Sequence, residues 1–278
     1  MATRIPHVLE GYLALPPECA QILLTGVLGA STNWLVLRHL YSYLRKPAAS
    51  GGEEEAAAAE DARVVFVSFM RDFAFWKEGA GRLGLDLEGL GRSGRFVFVD
   101  GLSGLFSQES AGQPAAAAAK GRRVLHGATL PAIQRELEGA VADVSAAGAK
   151  TVLVLDQPDL LLAASGEGLT SLALRDMLLD VQEKVHATVV AVAADEPLVA
   201  SQATTLEREH AAFVLGLAHA AETVVGLRLL DTGNASDVSG VLRITAGGDG
   251  HGERAVEETE LLYFVGGDGS VKVFGRGQ

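Results

Sequence analysis

Residues 21–44 join a short apolar run, Ile22 to Leu24, to a glycine-broken segment and then to an apolar-rich stretch. The run is too short for a helix and predicts a buried strand. Gly26 and Gly29 free the backbone where the run breaks. Ser31, Thr32 and Asn33 then offer N-cap side chains before a helix carrying Trp34, Leu35, Leu37, Leu40, Tyr41 and Leu44. Strand, glycine loop and capped helix, in that order, are the layout of a phosphate-binding loop.

The chemistry of such a loop is missing. A working loop reads G-x-x-x-x-G-K-[ST], where lysine reaches the β/γ-phosphates and the hydroxyl binds magnesium. Counted from Gly26, those three places hold Ser31, Thr32 and Asn33, and the nearest basic side chain downstream is Arg38. The sequence therefore predicts a loop that kept its shape and lost its nucleotide. An ordinary strand–turn–helix has the same outline.

A chain of 278 residues sits near the upper size of one domain, and 48% hydrophobic with 21% charged residues is a globular composition. One domain is expected over residues 1–278, with low-complexity surface insertions at 47–62 and 108–121. The formal charge of −12 stays acidic even without Glu53, Glu54, Glu55, Glu60 and Asp61. Such a chain is a poor nucleic-acid binder alone, because phosphate neutralisation supplies most non-specific affinity. A composite surface with partners escapes that limit.

A lone cysteine, Cys19, excludes an internal disulfide and a cysteine zinc site and reads as a buried thiol. The seven histidines show no ligand spacing, so no metal site is expected. No apolar stretch of about 18 residues is present, and the start lacks a signal-peptide pattern. An intracellular chain without a membrane partner is expected, and its location is expected to be cytoplasmic, with the nucleus as a second one.

Further strands are expected at 64–69, 96–100, 151–156, 188–194 and 223–230, alternating with helices at 76–83, 129–147, 169–186 and 203–221. The tail changes to short alternating strands at 238–245, 260–265 and 270–274, separated by glycine-rich hairpin signals. The fold class is α/β, a mostly parallel sheet with helices on both faces and a C-terminal antiparallel hairpin extension.

Asp156 ends its strand where a nucleotide hydrolase keeps the carboxylate that holds magnesium, and a turn-forming Asp before Gln157-Pro158-Asp159 is equally ordinary. A carboxylate base is missing after the 64–69 strand, where Ser68-Phe69-Met70 stands and Asp72 lies further along. Neither a nucleophile elbow nor a dinucleotide fingerprint has its spacing. Arg71, Arg82, Arg92 and Arg95 share one region and read as scattered solvated arginines.

Phe69-Met70-Arg71-Asp72-Phe73-Ala74-Phe75-Trp76, Gly81-Arg82-Leu83-Gly84-Leu85, and then Gly94-Arg95-Phe96-Val97-Phe98-Val99-Asp100-Gly101-Leu102 resemble the Elongator complex protein 6 family in order and spacing, over about residues 20–275. The resemblance implies a RecA-like (P-loop NTPase-like) fold without nucleotide-binding residues, hence no catalyst and no cofactor. It implies a hetero-hexameric ring with Elongator subunits four and five, two copies of each. That ring docks on the catalytic subunits and binds tRNA in support of wobble-uridine modification. In such rings the loops after the third and fourth core strands face the pore. Here those are residues 157–168 and 195–205, with Arg208 and His210 beyond as nucleic-acid contacts. Trp34, Phe73 and Trp76 are candidate contacts to a neighbouring subunit, and packing into the chain's own core explains them nearly as well. Two other classes stay open: an ATPase with an atypical loop that borrows a cation from a neighbour, and a RecA-type scaffold without an RNA role.

Overall fold

Alternating buried runs build the centre of the molecule. A computed structural model describes residues 5–45, 61–105, 120–127, 129–165, 168–230, 233, 235–248 and 256–275. The insertions expected at 47–62 and 108–121 lie almost wholly outside these residues. Strands β1 (Gln21–Gly26), β2 (Ala62–Ser68), β3 (Phe96–Asp100), β5 (Lys150–Asp156) and β6 (Ala187–Ala193) are nearly continuous apolar runs, as strands covered on both faces must be. With β4 (Arg122–Val124), β7 (Thr223–Arg228), β8 (Gly240–Ala246), β9 (Thr259–Val265) and β10 (Val271–Phe274) they form one ten-stranded sheet. Its order is β10-β9-β8-β7-β1-β6-β5-β2-β3-β4. Pairing is parallel from β4 to β7 and antiparallel from β7 to β10, so the tail extends one edge as hairpins.

Because side chains alternate along a strand, neighbouring residues serve opposite cores. Ile22, Leu24, Phe66, Phe98 and Val154 point to one side, where α1 (Asn33–Leu44) and α2 (Phe73–Arg82) bring Leu35, Leu40, Trp76 and Ala80. Leu23, Val67, Val99, Leu155 and Val190 point to the other. There α4 (Leu130–Val144), α6 (Ser171–Gln182) and α8 (Thr205–Ala220) bring Leu137, Leu174, Phe213 and Leu217.

Helix ends follow local chemistry. The Asp72 carboxylate accepts from the Phe75 N–H at 2.9 Å, starting α2 three residues before the periodicity suggested. Thr204 and Glu207 form a capping box on α8. Thr32 precedes α1 without a side-chain cap, and Ser31 Oγ accepts from the Asn33 N–H at 3.2 Å instead. Three short helices, α3 (Leu87–Arg92), α5 (Leu160–Ala164) and α7 (Glu196–Val199), were not expected, nor was β4.

Three readings of single residues need correction. Cys19 is exposed, not buried, on a backbone with φ of +63°. Trp34 is buried against Tyr263, with ring centroids 5.3 Å apart, which ties the tail to α1. Trp76 has no exposed surface; it stands edge-on to Phe66 at 4.8 Å, and Phe66 in turn packs on Phe98 at 5.7 Å. Neither tryptophan offers a neighbour a contact surface. Phe73 is half-buried, 5.3 Å from Phe98.

Truncating a fully buried tryptophan loses its transfer energy and leaves a cavity. Trp76→Ala is expected to cost about 3–5 kcal/mol, read as a lowered urea midpoint of the purified chain. A loss under about 1 kcal/mol would place Trp76 outside the folding core.

Candidate functional site

The parallel strands end on one edge of the sheet, where α/β proteins gather their sites. At the end of β1 the chain reverses at once. Ala30 N–H donates to Val27 O at 2.8 Å, and Gly29, at φ +90°, takes the position in this turn that needs a left-handed residue. Gly26 permits the close return: a Cβ there would lie 2.8 Å from Ala30 O and 3.1 Å from Thr32 Cγ2. Leu28, at the tip, is 86% exposed, yet its N–H donates to Asp195 Oδ1 at 2.7 Å. Ala194 N–H donates to Gly26 O at 2.8 Å, so the exit of β6 grips the turn from both sides. Thr32 is buried, and Arg38 is turned away, donating to Gly269 O at 3.1 Å.

Two strands along, Ser68 and Asp156 are register partners at the ends of β2 and β5. Ser68 Oγ donates to Asp156 Oδ2 at 2.7 Å and accepts from the Arg71 N–H at 3.0 Å. Asp156 Oδ1 is enclosed without a partner. Burial pushes the Asp156 carboxyl up to about 6, with the Ser68 hydrogen bond opposing and Asp159 adding to the shift.

Asp159 is also buried, and burial pushes its carboxyl up to about 7. Its Oδ2 receives Ala193 N–H at 3.5 Å and lies 3.8 Å from His210 Nδ1. His210 Nε2 is 2.9 Å from Ala193 O. A carbonyl only accepts, so Nε2 carries a proton and Nδ1 is the nitrogen turned to Asp159. Asp159 and His210 thus clamp the last residue of β6 between α5 and α8. His210 is a buried structural residue in this chain and cannot meet RNA as an exposed contact. Arg208 is exposed, its guanidinium 3.4 Å from Ala203 O and 3.3 Å from Thr205 Oγ1.

The four arginines do not converge. Arg71 lies over the Phe75 ring at 5.1 Å, Arg82 pairs with Glu78 at 2.6 Å, and Arg95 reaches Asp61 at 3.6 Å. Arg92 alone joins other cations, beside β4. Ser68, Asp159 and Asp195 acquire their partners only in the fold. The one sequence signal for all three is a polar residue directly after, or within three of, an apolar strand end. Among the described residues no group of three or more His, Cys, Asp or Glu side chains could hold a metal ion.

The family model described as Elongation complex protein 6 matches residues 58–265, which is most of the chain. The chain belongs to the Elongation complex protein 6 family. The matched span begins after α1, so the β1–α1 turn lies outside it and is known by its geometry. Membership makes the chain an Elongator accessory subunit by family. A KaiC-like protein of the hyperthermophilic archaeon Pyrococcus horikoshii OT3 aligns over 98% of this chain and 97% of its own, at 17% identity and a TM-score of 0.55. At that identity the likeness speaks for the fold, and the fold is RecA-like. No curated protein matches the chain by sequence.

The raised Asp159 carboxyl has a stability consequence with a definite sign. Unfolded, it ionises near 3.8; folded, near 7. The folded state therefore holds the proton over that interval, so this group's contribution is greatest below 3.8 and is lost as pH rises toward 7. Asp159→Asn is expected to flatten the stability-against-pH curve between these limits relative to the wild type, measured by urea denaturation at stepped pH. Parallel curves would show that the carboxyl does not titrate there.

Proposed function

We propose that the chain is a non-catalytic subunit of Elongator. In this reading it sits in a hetero-hexameric RecA-like ring with subunits four and five. The assembled ring docks on the catalytic subcomplex, binds tRNA and supports wobble-uridine modification. Its place is the cytoplasm, with the nucleus as a second site. Family membership and the RecA-like sheet support the assembly.

One observation carries the non-catalytic part: of the N–H groups that a phosphate-binding loop would offer, those of Leu28, Ala30 and Asn33 are engaged within the chain. Ala30 donates to Val27, Asn33 to Ser31 and Leu28 to the Asp195 carboxylate. A triphosphate with magnesium does not fit such a turn. It would have to displace a carboxylate, without a lysine in the loop to neutralise it. The Asp156 carboxylate, where magnesium would be held, is enclosed and bonded to Ser68.

Ring contact is supported by where five of the ten exposed large apolar side chains among the described residues fall. Leu28, Met70, Leu102 and Leu229 follow the ends of β1, β2, β3 and β7, and Phe75 stands beside them on α2. Apolar surface gathered at one edge is what an inter-subunit face requires. The loops 157–168 and 195–205, assigned to the pore by the resemblance, are built around α5 and α7 and, in their described residues, open on the same edge.

Native mass spectrometry of the endogenous complex tests this reading. Co-assembly with Elongator subunits four and five, two copies of each, is the expected result, and recovery of the chain without them overturns the ring. Fluorescent ATP titrated onto the isolated chain is expected to show no saturable binding; micromolar saturation overturns the non-catalytic assignment.

A further inference from the structure

The strand β4 forms the outer edge of the sheet, and beside it lies a cavity of about 340 Å³ between α2, α3 and the turn that leads into β4. That volume falls at the lower end of the range for small-ligand pockets, about 300–1,000 Å³. Its floor is the Phe73 ring, and its rim carries Arg92, Lys120 and Arg122, with Glu88 among them. In a chain of net charge −12 this concentration of cations is local.

The cations outnumber the carboxylates that serve them. Glu88 Oε1 takes both Lys77 at 2.9 Å and Arg122 at 3.1 Å. Asp86 reaches Arg92 only at 3.7 Å, and both side chains are largely in solvent. Lys120 makes no ion pair among the described residues. The Lys77 hydrogen bond, reinforced by the charges of Lys77, Arg122 and Arg92, holds the Glu88 carboxyl below its usual range. Two carboxylates thus pair with Lys77, Arg92 and Arg122, Lys120 adds a fourth cation, and the excess is positive.

The backbone holds these groups in place. Gly121, at φ +87°, lies so close to α3 that a Cβ on it would fall 2.5 Å from Gly91 Cα. A Cβ on Gly91 would in turn sit 3.1 Å from Lys120 O. The glycine pair lets the Lys120–Arg122 turn press against the end of α3, which brings those cations beside Arg92. The Arg122 guanidinium lies 3.7 Å from the Phe73 ring centroid, a stacking that fixes its plane while leaving N–H donors at its edge.

We propose that this cavity is an anion site for a phosphate group, with Arg92, Lys120 and Arg122 as its ligands and Glu88 as the internal carboxylate that competes with the phosphate for Arg122. Guanidinium groups match the paired oxygens of phosphate, and an ammonium adds a point charge. The phosphate belongs either to an RNA backbone or to a free phosphate ester. Only the RNA source rests on the function proposed above; the site itself does not need a ring.

Amide NMR of the full chain, titrated with inorganic phosphate against chloride at matched ionic strength, tests the site. Saturable shifts at Gly121 and Arg122 are expected. Arg122→Gln is expected to weaken binding by roughly fivefold, a charge-assisted contact discounted for solvent exposure. Lys120→Gln, at an exposed position off the core, repeats the loss should Arg122→Gln disturb folding. Glu88→Gln removes the competing carboxylate and is expected to tighten binding, the opposite sign from a merely structural role. A short single-stranded RNA followed by fluorescence anisotropy separates the sources: competition by phosphate names RNA, and phosphate binding without RNA binding names a free ester. Absence of saturable shifts, indifference to both cation variants, or weakening by Glu88→Gln overturns the proposal. Co-purification with Elongator subunits is read separately and is untouched by any of these results.

Discussion

A main-chain N–H that donates inside its own chain has little left to offer a ligand, and the turn between β1 and α1 is built on that fact. Leu28 N–H reaches Asp195 across 167 residues of sequence, and Ala194 N–H returns to Gly26 O. The turn therefore belongs mechanically to the exit of β6. That exit is in turn gripped by Asp159 from α5 and His210 from α8. The end of the sheet where related architectures meet a nucleotide is here a closed polar network joining three loops. An anion brought to Leu28 meets a carboxylate first, and the interaction is repulsive.

The parts of this fold that were legible in the sequence share one property: enough consecutive residues to show a period. The apolar runs 64–69, 96–100, 151–156 and 188–194 gave strands near their observed bounds, and the change to alternation after residue 238 gave the antiparallel tail. Leu160–Ala164 and Glu196–Val199 are about one turn each, too short for a 3.6-residue repeat to register. Arg122–Val124 is three residues with two arginines, tolerable in a strand only because it is an edge. His210 was misread although its burial had a signal. It shares a face with Phe213, Val214 and Leu217 at helical spacing, the pattern of a core-facing stripe. The tryptophans carried no such local clue, because apolar residues on an interface and in a core are chemically alike. Asp195, Asp159 and Ser68 were beyond reach for another reason: their partners lie far away in the chain, and only the register of the sheet sets them side by side.

The buried carboxyls make a separate point about what the core tolerates. Asp156 and Asp159 each keep one oxygen enclosed without a partner, and burial shifts both toward the protonated form. Such groups cost stability relative to apolar side chains of similar size. The sheet does not need them, since Val154, Leu155 and Val190 already fill the space between the helices. Their positions at strand ends, facing the edge where loops meet, are those of a site-bearing fold. The Ser68 hydroxyl and the His210 ring have become their internal partners.

Charge is divided along the sheet in a way that follows its topology. The described strand at the far edge, β4, is basic and lies against Arg92 and Lys77, whereas α6 and α8 beyond the centre carry Asp176, Asp180, Glu207 and Glu209 among their exposed or half-exposed positions. The two proposed partners, a polyanion at the β4 edge and a protein face at the apolar strand ends, therefore meet different parts of the subunit. Salt separates the two contacts. Ion pairing at the β4 edge weakens as the Debye length shortens, while apolar burial at the strand ends is held or strengthened. On the assembly and the anion site proposed above, such a subunit stays within its assembly at a salt concentration that already releases a polyanion from its edge.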